Sequence, residues 1–76
     1  MPAKYAEPLF YAPIAGLGFS RDFCIFCEVG GYHTIADLLE RHTSELLKRP
    51  GFTYHLLQEY ISFMEKNRVG HYLDTY

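Results

Sequence analysis

The stretch TIADLLERHTSELLKRPGFTYHLLQEYISFM, residues 34–64, decides the fold of this chain. It reads as three short helices in succession, and a threonine stands before each one: Thr34, Thr43 and Thr53. A threonine in that position accepts a hydrogen bond from a backbone N–H that the first helical turn leaves unpaired. The three threonines therefore predict three helix starts.

The last of these helices has the clearest pattern. Four of its apolar residues recur at the spacing i, i+3, i+4 and i+7 and so form one stripe along the helix: Leu57, Tyr60, Ile61 and Met64. Leu56 and Phe63 widen this stripe. Pro50 ends the helix before it, because the residue preceding a proline avoids helical geometry. The predicted helices cover about residues 35–41, 44–48 and 54–67.

A further helix is predicted nearer the N-terminus. Ser20 is suited to cap a helix over residues 21–29. Gly30 and Gly31 follow directly, and glycine commonly terminates a helix because it adopts the left-handed conformation without strain. The sequence therefore predicts four helices in total.

No stretch shows the alternation of a strand, so the predicted fold class is all-α. We expect a compact bundle of four short helices, of the helix-hairpin-helix or SAM-like type, over residues 13–69. Residues 1–12 carry Pro2 and Pro8 and no helical period, which indicates an extended arm. Residues 70–76 form a short aromatic tail.

The composition indicates one globular domain. The chain has 76 residues, of which 49% are hydrophobic and 17% aromatic, and a chain this short is expected to be only marginally stable. No apolar run has the length of a signal peptide or a membrane span. Two cysteines do not make a disulfide framework. We therefore expect a cytoplasmic protein with reduced thiols and no membrane contact.

The turn before the last helix points to nucleic acid. Pro50-Gly51-Phe52 leads into a helix N-terminus, as in helix-hairpin-helix modules that meet a phosphate backbone. We expect the backbone N–H groups of residues 52–54 to point outward there, where the positive end of the helix dipole attracts an anion. The candidate DNA-binding residues are Arg21, Lys48, Arg49, Gly51, Phe52, Thr53, Tyr54 and His55.

The charge balance argues against a strong grip on DNA. The formal net charge is -2, and the seven Lys and Arg residues are scattered apart from the adjacent pair Lys48-Arg49. A domain that depends on phosphate contacts is usually basic, because neutralised phosphates supply most of the affinity. DNA binding through this turn is therefore expected to be weak.

Residues 13–64 resemble the C-terminal domain of the bacterial RNA polymerase α subunit. The most specific block is Glu45-Leu46-Leu47-Lys48 followed by Pro50. Other matching positions are Pro13-Ile14, Leu17, Phe19-Ser20, Ile35, Asp37-Leu38, Arg41, Leu57 and Glu59. The resemblance implies a bundle of four short helices with helix-hairpin-helix-like elements and a transcription-associated function.

The family's DNA contacts are largely replaced in this chain. The family holds the minor groove with an arginine at the start of the first helix, which corresponds to Asp22. Its asparagine one turn later and the neighbouring residue correspond to Ile25 and Phe26. Its Gly-Lys-Lys-Ser segment at the start of the last helix corresponds to Thr53-Tyr54-His55-Leu56. The resemblance therefore implies the fold and leaves two functions open.

The first function is a non-catalytic, transcription-associated module that binds DNA weakly through the turn before the last helix. The second is a protein-interaction or self-associating module that kept the fold and exchanged its DNA face for an apolar one, formed by Phe23, Ile25, Phe26 and Leu56. The aromatic residues of the arm and the tail either cover the bundle or add to a contact surface: Tyr5, Phe10, Tyr11, Tyr72 and Tyr76.

No other residues form a recognisable reactive site. Cys24 and Cys27 form a C-x-x-C that, with His33 and His42, has the ligand types of a zinc site. The pair falls within a predicted helix, however, and a buried free cysteine commonly packs as a small hydrophobe. The histidines stand in no catalytic motif. We expect no enzymatic activity, metal, cofactor or small-molecule substrate.

Overall fold

Residues 7–73 are described in the computed structural model, and they form helices joined by turns. The α-helices are α1 (Arg21–Gly30), α2 (Ile35–Leu39), α3 (Thr43–Leu47) and α4 (Tyr54–Lys66). Short 3₁₀ helices occupy Pro8–Tyr11, Ile14–Gly16 and Gly70–Tyr72. These described residues contain no strand, so the predicted all-α class is confirmed. The helix-hairpin-helix type stays a prediction.

The chain divides into two units, an N-terminal unit that ends at Glu40 and a C-terminal unit that begins at Arg41. The N-terminal unit contains α1 and α2, and the C-terminal unit contains α3 and α4. The helical domain predicted over residues 13–69 includes parts of both units.

Helices α1 and α2 begin at the predicted residues, and a side-chain hydrogen bond caps each start. Ser20 Oγ accepts a hydrogen bond from the N–H of Phe23 at 3.3 Å, and Thr34 Oγ1 accepts one from the N–H of Asp37 at 3.3 Å. The Asp37 carboxylate accepts in return from the N–H of Thr34 at 3.2 Å, which completes a capping box. The predicted caps Ser20 and Thr34 are confirmed.

The ends of these two helices differ from each other. Gly31 caps the end of α1 with a φ of 79°, the left-handed geometry for which glycine is suited. The helix includes Gly30 and so ends one residue after the predicted boundary. Helix α2 ends at Leu39, two residues before the predicted boundary. The sequence shows no glycine or proline there to mark the end.

Residues 8–11 differ from the extended conformation predicted for an arm over residues 1–12. Residues Pro8–Tyr11 form a 3₁₀ helix that lies against α2, and Phe10 is fully buried. An extended arm would leave the Phe10 ring in water, and burying such a ring stabilises a fold by about 1.5–3 kcal/mol. Residues 1–6, among them Tyr5, lie outside the described part of the chain.

Helix α3 begins one residue earlier than predicted, and His42 caps it. Thr43 is the first residue of the helix, whereas Nδ1 of His42 accepts a hydrogen bond from the N–H of Ser44 at 3.2 Å. The prediction of Thr43 as the cap is therefore wrong, because the preceding histidine also carries an acceptor within reach. Leu46 is buried, and Leu47 is half-buried.

Helix α4 begins where the sequence predicts, since Thr53 Oγ1 accepts from the N–H of Leu56 at 3.3 Å. It lies against α3 within the C-terminal unit. Leu57 and Ile61 of the predicted stripe are only half-buried. The fully buried side of the helix is centred one position earlier, on Leu56, Tyr60 and Met64.

The end of α4 is closed by backbone hydrogen bonds. The N–H of Val69 donates to the carbonyl of Met64 at 2.8 Å, and Val69 is buried. The predicted tail then begins with the 3₁₀ helix Gly70–Tyr72, in which Tyr72 is half-buried. Tyr76 lies beyond the described residues.

Candidate nucleic-acid interface

A tight turn joins α3 to α4. The N–H of Phe52 donates to the carbonyl of Arg49 at 3.2 Å, which closes a four-residue turn. Pro50 occupies its second position and Gly51, with a φ of 88°, its third. Proline followed by a left-handed glycine is the signature of a type II turn. The sequence Pro-Gly therefore specifies the geometry of this connection.

The turn presents its charged residues to solvent and buries one ring. Lys48 and Arg49 are exposed, and neither side chain pairs with a carboxylate within residues 7–73. Phe52 is buried and anchors the turn. His55 is exposed, and Tyr54 is 74% exposed at the first position of α4. This segment thus exposes the side chains of Lys48, Arg49 and His55 together with the ring of Tyr54.

The backbone donors of this turn are only partly available to a ligand. The N–H of Phe52 closes the turn and does not point outward, so its prediction as an anion donor is wrong. The side chain of Phe52 is likewise buried and makes no surface contact. Thr53 serves as the cap of α4 through its side chain. The N–H groups of Tyr54 and His55 belong to the first helical turn, which has no intrahelical acceptor for them.

Seven of the eight candidate DNA-binding residues lie together between Lys48 and His55. The eighth, Arg21, is the first residue of α1 and is exposed beside Asp22, which is also exposed. It belongs to the N-terminal unit, whereas the other seven belong to the C-terminal unit. The candidate interface is therefore limited to residues 48–55.

The two units carry different charge balances, which the net charge of the whole chain concealed. Residues 1–40 contain two of the seven basic residues and five of the nine acidic ones. Residues 41–76 contain the other five basic residues: Arg41, Lys48, Arg49, Lys66 and Arg68. The unit that holds the turn is thus slightly basic, although the chain is acidic. Counting charges on each side of residue 40 would have revealed this from the sequence.

The apolar face proposed as the alternative interface is mostly inside the protein. Phe23, Phe26 and Leu56 are buried, and the ring of Phe26 stacks on Tyr32 with centroids 5.8 Å apart. These three residues cannot form an exposed contact face, so that part of the prediction is wrong. Their burial supports the core, which local sequence could not distinguish from an apolar surface.

Ile25 is the member of that set that remains accessible, with 46% of its surface exposed. Val29, one helical turn later on α1, is 85% exposed. Sequence reasoning did not select Val29, although the i, i+4 spacing places it on the same side of the helix as Ile25. Ile25 and Val29 form the α1 apolar pair, two exposed apolar residues on one side of α1.

The C-x-x-C lies on α1 as predicted. Cys27 is buried, and Cys24 is half-buried with its Sγ 3.9 Å from the carbonyl oxygen of Phe19. Among residues 7–73, no three His, Cys, Asp or Glu side chains come together in a geometry suited to a metal ion. None of the helices described here has the length and apolar character needed to cross a membrane.

Comparison with family models, with curated proteins and with solved structures found no match to this chain. The class that the fold defines is a small all-α protein. The resemblance to the polymerase α C-terminal domain stays a prediction from the sequence.

Proposed function

We propose that this chain is a non-catalytic, transcription-associated module that binds DNA weakly through the turn between α3 and α4. The observation that carries the DNA-binding proposal is the exposed cation pair Lys48-Arg49 at the type II turn before α4, where neither side chain pairs with a carboxylate of residues 7–73. The association with transcription rests on the sequence resemblance alone.

The expected affinity follows from the number of cations. Each phosphate that a Lys or Arg neutralises releases counterions. The logarithm of the binding constant therefore falls with the logarithm of the salt concentration, with a slope of roughly -0.9 per phosphate. Two contacts, from Lys48 and Arg49, therefore predict a loss of about tenfold between about 50 and about 200 mM salt. A site with so few contacts binds weakly, which agrees with the replaced contacts of the resembling family.

The test is an NMR titration of isotope-labelled protein with a short A·T-rich duplex at low and physiological salt. We expect salt-sensitive shifts at residues 48–55 of the wild-type protein. The double variant Lys48→Glu with Arg49→Glu should lose them. The matched control is Lys66→Glu with Arg68→Glu, which makes the same charge change in the same unit on exposed residues.

If the turn is the site, the affinity of the control double variant should stay within about twofold of the wild-type affinity. Exposed charges further from the bound DNA than the Debye length are largely screened. Equal losses in both double variants would mean that only net charge matters, and would contradict the location. An affinity that does not change with salt would contradict phosphate binding altogether.

Protein interaction is the second candidate function, and the α1 apolar pair favours it. Val29 is the most exposed of the large hydrophobic residues in the described part of the chain, and it stands one turn from Ile25. Val29→Asp and Ile25→Asp should each abolish self-association in sedimentation velocity if the pair is a contact between copies. Glu28→Gln, on the exposed residue between them, is the control. A wild-type protein that is monomeric at high concentration would argue against this function.

A further inference from the structure

We propose that the ring of Tyr54 stacks on an unpaired base, so that the turn between α3 and α4 prefers single-stranded nucleic acid to a duplex. This inference rests on the proposed function, because it assigns a class of ligand to the same turn. It adds a contact that phosphate binding alone does not require.

The exposure of Tyr54 is the first observation. Tyr54 is 74% exposed, whereas Tyr32 and Tyr60 are buried and Tyr11 is 41% exposed. Tyr72 is half-buried, so Tyr54 is the most exposed tyrosine of the described residues. Phe52, two residues earlier, is buried. The chain thus places one ring of this segment in the core and leaves the other in water.

The position of the cations is the second observation. The type II turn brings the Cα atoms of Arg49 and Phe52 within about 7 Å of each other, and Tyr54 follows two residues later. The turn therefore brings Arg49, and Lys48 next to it, near the start of α4, whose first residue is Tyr54. One short segment of a single strand can therefore contact both the cations and the ring.

The combination of cations and an exposed ring distinguishes the ligand class. In a duplex the bases are stacked on one another, and their flat faces are closed to a side chain. In a single strand a base can leave the stack and lie on an aromatic ring, while the neighbouring phosphates meet Lys or Arg. Every base has such a face, so this contact tolerates any sequence. Single-stranded DNA and RNA share this chemistry, and the 2′-hydroxyl distinguishes them.

The experiment compares three fluorescently labelled probes by anisotropy at low salt: oligo(dT), oligo(U) and a duplex of equal length. The variants are Tyr54→Ala, which removes the ring, and Tyr54→Phe, which keeps it. Tyr11→Ala, in the N-terminal unit, is the control for loss of an exposed tyrosine. Far-UV circular dichroism establishes that each variant is folded, as the exposure of Tyr54 predicts.

We expect the wild-type protein to bind a single-stranded probe more tightly than the duplex. Stacking contributes roughly 1–3 kcal/mol per base, so Tyr54→Ala should weaken single-strand binding by about fivefold or more. The single-strand affinities of Tyr54→Phe and Tyr11→Ala should stay within about twofold of the wild-type affinity. Tighter binding of oligo(dT) or of oligo(U) would assign the strand to DNA or to RNA, and either result supports the proposal.

The proposal is overturned if Tyr54→Ala leaves single-strand binding unchanged while reversal of Lys48 and Arg49 abolishes it. In that case the cations bind phosphate and the proposed function stands without the stacking contact. A wild-type protein that binds none of the three probes in a salt-sensitive way removes both the proposed function and this inference. Equal affinity for duplex and single strand overturns the preference alone.

Discussion

The Nδ1 atom of His42 accepts a hydrogen bond from the backbone N–H of Ser44 at 3.2 Å and lies 2.8 Å from the Ser44 hydroxyl. A histidine thus takes the role that serine or threonine usually fills at a helix N-terminus. Helix α3 has five residues and depends on this cap more than a long helix would.

Removing the His42 cap should destabilise the protein. His42→Ala is expected to lower the free energy of unfolding by about 0.5–2 kcal/mol, because the N–H of Ser44 loses its acceptor. His42→Asn should retain most of the stability, since asparagine is also a good cap. Denaturant unfolding followed by circular dichroism measures both. His55→Ala, at an exposed histidine, should change stability by less than about 0.5 kcal/mol.

The capping box of α2 gives a second prediction. The Asp37 carboxylate accepts from the N–H groups of His33 at 3.0 Å and of Thr34 at 3.2 Å. Hydrogen bonds to a charged group contribute about 1.5–3 kcal/mol each at most, so Asp37→Ala should cost about 1–3 kcal/mol in chemical unfolding. Glu28→Ala, at an exposed acid of α1, is the control. Equal effects of the two substitutions would mean that the box does not stabilise the fold.

Gly30 should not tolerate a side chain. A Cβ at this position would lie 2.6 Å from Cε2 and 2.9 Å from Cδ2 of the Tyr32 ring, and that ring is buried and stacked on Phe26. The extra methyl group overpacks this region, so Gly30→Ala is expected to lower the free energy of unfolding, measured by thermal denaturation, by about 1–3 kcal/mol. Gly16 has open space around its Cβ position, so Gly16→Ala is the control. A Gly30 variant as stable as the Gly16 variant would show that the ring moves at no cost.

The turn between α3 and α4 should depend on Gly51. Its φ of 88° lies in the region that other residues reach only at a cost of roughly 1–2 kcal/mol. Gly51→Ala is expected to lose about that much stability in chemical unfolding and to weaken nucleic-acid binding, although it changes no charge. Binding is measured by the same titration as for Lys48 and Arg49. Unchanged affinity in a destabilised Gly51→Ala variant would mean that the geometry of the turn does not matter to the ligand.

Helix starts were the part of this fold most accessible from the sequence. Ser20, Thr34 and Thr53 were predicted as caps, and each accepts the expected N–H. The same rule failed at Thr43, because His42 offered a competing acceptor one residue earlier. Side-chain capping involves residues only two or three positions apart, so it can be predicted when one candidate stands alone.

The candidate interface was predicted in part. The Pro-Gly pair identified a turn, and the turn indeed exposes Lys48 and Arg49. The sequence did not reveal that the N–H of Phe52 closes this turn instead of facing a ligand. Both Phe52 and Tyr54 were predicted as DNA contacts, but only Tyr54 is exposed and Phe52 is buried, because the sequence does not show which of two nearby aromatic residues the core takes up.

Capping residues and the helical spacing of apolar residues were enough to predict the all-α class, the order of the helices and most of their first residues. The burial of Phe23, Phe26 and Phe52 became known only from the folded chain, and so did the exposure of Val29. The physical reason is range: a cap needs a partner within one helical turn, whereas the loss of water around a ring depends on every residue that packs against it, wherever it lies along the chain.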